Sequence, residues 1–388
     1  MAALTRLPRS TLAEFLDDRV TYRSLDTVDR RLPRCTDLAA SIGLADAPTP
    51  RKCQPCYGQL VAALLREAAK IEGNGAVDRI LFVGDTRGND IRAFEQICHE
   101  GAWPGIAFIG RDDPSAPEAW QMVGTENGPV LIASRWRLLT EVDRFCDADG
   151  FPIDRRTVVL IDIDKTAIGA RGRNDEAIDR ARIDALHRTY IQVHGEVPEW
   201  STCQRLYRSL NRDSLHRFTA DNQDLVVYMA LAVAANLLPD DILLRDDAWE
   251  RFGDLAGLLA EADRGAPSAS RSFRDAHRAM RDGLVGGELP LFDRFRRNEY
   301  EATVGRMSRL PEAATMDRRL ADEIMITAEV REVALRWRDR GALVFGISDK
   351  PDIASLPTEA QADSGLLPLH RTQARVMAAI ESENARSV

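Results

Sequence analysis

Short runs of consecutive apolar residues stand out at 80–83, 105–109, 130–133, 158–161 and 342–347. Such runs carry no alternation and are rich in β-branched residues. They predict strands buried on both faces, as in a parallel sheet. Helical patterns fall between them. Leu60, Val61, Leu64, Leu65, Ala68 and Ala69 recur at helical spacing from Gly58 onward, and Gly73-Asn74-Gly75 ends that helix. Further helices are predicted over 90–99 and 135–145. Strands and helices thus alternate, which predicts an α/β fold with a doubly wound, Rossmann-like parallel sheet.

The span 167–341 reads differently. Its pattern is helical, and it holds no convincing buried strand. The long apolar run 225–238 predicts a buried helix, 265–270 a loop, and 329–340 another helix. The stretch 219–224 reads as a helix cap or as a loop facing a ligand. Near the end, 366–370 reads as a short edge strand, and a helix closes the chain. Residues 1–50 are weakly patterned, with short helices at 10–16 and 36–42, and read as an extension packed on the core. The expected organisation is therefore 1–50 extension, 51–166 first part of the core, 167–341 helical insertion, 342–388 second part of the core.

The 388 residues suit two domains, or one domain with a large insertion. Hydrophobic residues at 44% and charged residues at 29% match an ordinary globular protein. The net charge of −9 argues against a broad nucleic-acid footprint. No apolar stretch is long enough to span a bilayer, and none at the amino terminus resembles a signal peptide. A cytoplasmic protein with no membrane partner is expected.

Cys53-x-x-Cys56 is half of a zinc pattern, which Cys35, or Cys98 with His99, would have to complete through the fold. Reduced thiols are the default expectation. The histidines form no recognisable metal or nucleophile motif. Among the 52 basic residues only Lys52, Lys70, Lys165 and Lys350 are lysines, so chemistry that needs a lysine has few candidates.

The chemistry centres on Val158-Val159-Leu160-Ile161-Asp162-Ile163-Asp164-Lys165-Thr166. A buried strand runs straight into Asp162, which places a carboxylate at the carboxyl edge of the sheet, where open α/β sheets hold ligands. Asp164 can reach the same ion or phosphate, and Thr166 can hydrogen-bond to the turn and fix it. The strand at 80–83 likewise ends in Gly84-Asp85 and continues to Asp90. The strand at 342–347 ends in Ser348.

The strand followed by Asp162-x-Asp164-x-Thr166 resembles the first motif of the haloacid dehalogenase-like phosphatase superfamily. The turn with Asp85 and Asp90 is similar to that family's fourth motif, and the strand ending in Ser348 to its second. Lys52, with Pro55 and a helix behind it, resembles its third. The family's usual order is aspartate strand, Ser/Thr strand, lysine, acidic turn. Here lysine and acidic turn come first, as a circular permutation would place them. The resemblance covers 52–166 and 342–372. It implies a permuted core of this family, with strand 158–162 between 80–84 and 342–347, and a large helical cap domain at 167–341.

The roles that follow are those of the family. Asp162 would attack phosphorus and form an aspartyl-phosphate. Asp164 would protonate the leaving oxygen and then activate water. Mg²⁺ would be held by Asp162, the Asp164 backbone carbonyl and Asp85, with Asp90 ligating directly or through water. Ser348 would donate to a phosphoryl oxygen. Lys52, rather than Lys350, would neutralise the clustered charge. Thr166, Arg171 and Arg173 are substrate-binding candidates; the two arginines lie on a Gly-containing stretch that reads as flexible, where they are otherwise exposed linker residues.

The resemblance therefore implies a Mg²⁺-dependent phosphatase acting on a small-molecule phosphate monoester. The second acid, Asp164, argues against dehalogenation. A phosphotransferase or phosphomutase would keep the same residues. A non-catalytic binder of Mg²⁺ or of a phosphorylated ligand, and a metal-dependent glycosyltransferase using Asp162 and Asp164, are the other readings.

Overall fold

Alternate residues of each apolar run are buried on opposite faces of one sheet. Ile80, Phe82, Ala107, Ile109, Val158, Leu160, Leu343 and Phe345 join one core cluster with the apolar face of the helix at 55–71. Leu81, Val83, Phe108, Val159, Ile161 and Val344 are equally buried on the other face. Burial on both faces is why the runs show no polar alternation. The computed structural model describes residues 7–45, 49–195, 200–211, 222–239, 252, 254–285 and 292–378.

Ten strands are described: β1 (Arg9–Ser10), β2 (Val20–Thr21), β3 (Arg79–Gly84), β4 (Gly105–Gly110), β5 (Trp120–Thr125), β6 (Gly128–Ala133), β7 (Thr157–Asp162), β8 (Ile326–Thr327), β9 (Leu343–Ile347) and β10 (Ala374–Met377). Seven of them form a sheet in the order β2-β9-β7-β3-β4-β6-β5. Every neighbouring pair is parallel except β5 with β6. The central strand β7 lies between β3 and β9, the arrangement expected for strand 158–162. Chain order runs outward from β3 through β4 to β6. It then returns to the far side of β3 as β7 and continues to β9. Successive connections therefore diverge between β3 and β7, the kind of switch point at whose carboxyl ends open α/β sheets hold ligands.

In the amino-terminal region, α1 (Ala13–Leu16) and α2 (Cys35–Ser41) fall where short helices were expected. Sequence reasoning missed β2, which extends the main sheet beside β9. Helix α3 (Pro55–Ile71) precedes β3, and α4 (Asp90–Gly101) follows it. In place of a single helix over 135–145 there is a tight 3₁₀ segment, Trp136–Glu141, and then α5 (Val142–Ala148).

Two compact units result. The first is Met1–Asp179 with Thr303–Val388, and the second is Arg180–Ala302. Residues 167–179 and 303–341, placed with the helical insertion from the sequence, belong to the unit that holds the sheet. The second unit is built of helices, and its apolar helix Gln223–Ala234 is buried around its circumference, as its composition requires. Asn222 caps that helix, its side chain accepting the N–H groups of Asp224 and Leu225. Residues 219–221, like His216, lie outside the described residues.

The expected strand at 366–370 is instead a turn with the 3₁₀ segment Leu369–Arg371. The strand comes later, as β10, and it pairs with β1 and β8 outside the main sheet. It occupies the start of the expected closing helix; residues 379–388 lie outside the described residues.

Candidate functional site

Asp162 is the last residue of β7, and strand alternation gives it the same face as Val158 and Leu160. That face is covered by α3. Lys52, two residues ahead of the α3 cap residue Gln54, meets it there. Lys52 Nζ lies 2.5 Å from Asp162 Oδ1 and 3.0 Å from Asp90 Oδ1. The backbone of this approach is anchored from across the site. Asp349 Oδ1 accepts the Lys52 N–H at 3.2 Å, and its Oδ2 accepts from Arg51 Nε at 3.3 Å.

Asp90 uses its second oxygen to close the turn after β3. Oδ2 accepts the N–H groups of Asp85 and Thr86 and the Thr86 hydroxyl, at 3.1, 2.9 and 2.8 Å. Gly84 makes room for this. A Cβ at that position would stand 2.7 Å from the Asp90 carboxyl carbon. Asp85 Oδ2 in turn is ion-paired with Arg171 Nε.

Asp85, Asp90 and Asp162 each present an oxygen within 4.8 Å of the others, and all three are buried. They form the only such group of His, Cys, Asp or Glu among the described residues. Cys35, Cys53 and Cys56 are free thiols outside it. Burial and the nearby Asp90 push the Asp85 carboxyl up to about 7, although Arg171 opposes this. Burial raises Asp162 well above the usual carboxylate range, against the pull of Lys52 and with the push of Asp90 and Asp85. Burial also acts on Asp90, but Lys52 and the Thr86 donors outweigh it and hold that carboxyl low. The same two partners, Asp162 and Asp90, keep the buried Lys52 ammonium charged.

Three carboxylates therefore face two cations, Lys52 and Arg171. A hard divalent ion fits this surplus of negative charge and the all-oxygen donor set. With such an ion all three carboxyls would be ionised, and together with Lys52 and Arg171 the cluster would be net positive and would favour an anionic ligand.

Asp164 stands apart from the trio. Its carboxylate faces Lys350, whose Nζ is 3.5 Å from Asp164 Oδ2. Lys52 thus meets Asp162, as expected, while Lys350, set aside from the sequence, is folded inward by the turn after β9 and meets Asp164 instead. Ser348, beside the end of β7 through the Asp162–Ile347 pairing, donates its N–H to Thr21 O at 3.0 Å and accepts the Lys350 N–H on its hydroxyl at 3.2 Å.

The structure places the three substrate-binding candidates in different settings. Thr166 is fully buried, and its hydroxyl makes no hydrogen bond among the described residues. It fixes the turn through its carbonyl instead, which accepts from the Thr327 hydroxyl at 2.5 Å. Arg173 is consumed in the interior. It makes two 2.9 Å contacts with the two Glu329 oxygens and a 2.6 Å contact with Asp112. Arg171 faces the site, but toward Asp85 rather than outward.

The stretch carrying both arginines is tied down rather than flexible. Gly169 N–H donates to Met325 O at 2.9 Å, and Arg171 N–H to Lys165 O at 2.8 Å. Gly172 sits at φ +78°, and a Cβ there would meet Asp112 O at 2.0 Å. Lys165 itself adopts φ +64°, a left-handed conformation uncommon for lysine, in the turn between Asp164 and Thr166. Its ammonium pairs with Asp179 at 2.9 Å.

Sequence reasoning also missed Asp349 and Thr86. Both act on backbone groups, and a pattern of apolar and acidic residues carries no signal for that. Comparisons of the chain with models of known protein families, with curated proteins and with solved structures give no match.

Proposed function

We propose that the chain is a Mg²⁺-dependent phosphatase acting on a small-molecule phosphate monoester through an aspartyl-phosphate, as a permuted relative of the haloacid dehalogenase-like phosphatases. One observation carries the reading. Four chain segments converge at the β3–β7 switch point with the groups this chemistry needs: Asp162 for attack, Asp164 for proton transfer, Asp85 and Asp90 as further acids, and Lys52 and Ser348 as donors.

Asp85, Asp90 and Asp162 would hold Mg²⁺, which when bound supplies charge neutralisation for the phosphoryl group. An Asp162 oxygen attacks phosphorus, and the bond from phosphorus to the ester oxygen breaks. The departing electron pair takes a proton from Asp164, releasing an alcohol. Water then attacks phosphorus and gives its proton to Asp164. The aspartyl bond breaks, and inorganic phosphate leaves with Asp162 restored. Lys52 screens the carboxylate that attacks. The Ser348 hydroxyl offers a hydrogen bond to a phosphoryl oxygen.

The test is release of inorganic phosphate from 4-nitrophenyl phosphate and from a panel of phosphorylated metabolites, with and without Mg²⁺. Turnover that needs Mg²⁺ and vanishes in Asp162→Asn is expected. Turnover surviving in a folded Asp162→Asn variant, or none on any phosphate ester, would sink the reading. Transfer to an added alcohol in place of water would reassign the chain as a phosphotransferase.

A further inference from the structure

Lys350 is a second lysine at this site, and nothing in the chemistry above uses it. Its side chain is 3% exposed, and that of Asp164 16%. An ammonium so deeply buried requires an anionic partner, and the Asp164 carboxylate at 3.5 Å is one. The Thr303 hydroxyl stands 3.5 Å from the same nitrogen.

The peptide of Lys350 is fixed on both sides. Its N–H donates to Ser348 Oγ at 3.2 Å, and its carbonyl accepts the Arg23 N–H at 3.1 Å. Two residues on, Asp352 accepts the Ser24 N–H and hydroxyl at 2.9 and 2.7 Å. The lysine stem therefore rises from a rigid loop. The Asp164 side chain, by contrast, projects from a turn beyond the strand end, next to a left-handed residue. Most basic positions of this chain are arginine. A planar fork seeks two acceptors, whereas an ammonium acts as a point charge on one carboxylate.

Resting on the phosphatase reading, we propose that Lys350 is a positioning residue for proton transfer. It holds the Asp164 carboxyl on the leaving-group side of Asp162. In the first step the ester oxygen leaves with its bonding electrons and takes the Asp164 proton. In the second, water gives that group a proton as it attacks phosphorus. Both transfers need the carboxyl in one place, and displacement by about 1 Å is enough to cost about 10²-fold.

The prediction separates leaving groups. An alkyl phosphate requires protonation of its departing oxygen, while 4-nitrophenolate leaves with little help. Lys350→Met should slow the first turnover of an alkyl ester by about 10²-fold and the first-turnover release of 4-nitrophenolate far less, while the later water step slows alike for both. Inhibition by inorganic phosphate should be unchanged. Adding Lys350→Met to Asp164→Asn should slow the alkyl ester no further. Lys350→Arg should recover part of the loss, and it gives the same comparison if the Met variant does not fold.

Equal first-turnover losses on both esters with weakened phosphate inhibition would overturn the proposal and make Lys350 a phosphoryl contact. Additive losses in the double variant would also overturn it. A wild-type chain that hydrolyses no ester overturns the phosphatase reading as well. An active wild type with no leaving-group effect in Lys350→Met overturns this inference alone.

Discussion

Lys52 and Asp162 are 110 positions apart, and their side chains meet at 2.5 Å in a buried setting. Lys52 also reaches Asp90 at 3.0 Å, so one ammonium screens an acid at the end of β7 and another at the start of α4. Lys52→Met should therefore lower turnover by about 10²–10³-fold, the cost of removing one preorganised charge-stabilising donor. Lys350→Ala should cost less on 4-nitrophenyl phosphate. Steady-state rates of the two folded variants check the order. A Lys52→Met variant faster than Lys350→Ala would refute it.

Asp85 is the acid whose replacement should act most through the metal. Asp85→Asn removes one of three oxygens of the cluster and releases Arg171. The Mg²⁺ concentration for half-maximal turnover should rise by about tenfold or more, since even an outer partner of a metal site is worth about 10–100-fold in affinity. A Mg²⁺ titration measures it, and an unchanged midpoint would remove Asp85 from the ligand set.

Arg173 is expected to support the fold rather than the substrate. Its side chain is 6% exposed, and its Glu329 partner 7%. Arg173→Ala removes the ion pair of the buried Glu329 and of the half-buried Asp112. A loss of about 3–5 kcal/mol of stability is expected, with an unchanged KM in the fraction that remains folded. Urea denaturation read beside Michaelis kinetics tests both parts. A stable variant with a raised KM would reverse the assignment.

Acid sensitivity should come partly from two histidines, the half-buried His194 and the buried His370. Burial lowers the pKa of His194, against its hydrogen bond to Leu231 O. Burial also lowers His370, although Asp18 opposes this, and Arg371 adds to the lowering. An unfolded histidine titrates near about 6.5. Below that pH the unfolded chain takes up protons that these folded side chains resist, so stability should fall as the pH drops from about 6.5. Melting temperatures of the wild type and His370→Gln between neutral and mildly acidic pH check this. A slope as steep in the variant as in the wild type would exclude His370.

The central strands were legible because two-sided burial leaves an uninterrupted apolar signal. The same rule hid the edges. β5 lies on the open margin of the sheet with Met122 and Val123 exposed, so no burial pattern marks it. β10 carries Arg375, fully buried against Glu323, and a charge inside a short strand erases the apolar run. Asp162 and Asp85 could be named because strand ends fix where side chains emerge, and Asp90 and Lys52 because their turn and helix start resemble motifs of a known family. Arg173 could not be placed, because Asp112 and Glu329 reach it through the tertiary fold alone. The direction of the Lys350 side chain was hidden for a similar reason: it depends on a loop held by Arg23 and Ser24.

That loop makes the timing of synthesis matter. The N–H of Lys52 waits for Asp349, 297 positions later, and Ser24 for Asp352, 328 positions later. A nascent chain that has emerged as far as Asp164 already carries every acid of the cluster, yet it lacks the strand and loop that seat Lys52 and complete the pocket. Closing contacts over such separations is slow. Ligand binding would thus be gained only after the carboxyl-terminal strand and loop have emerged, and a phosphate analogue that binds only the completed site would distinguish complete chains from truncated ones.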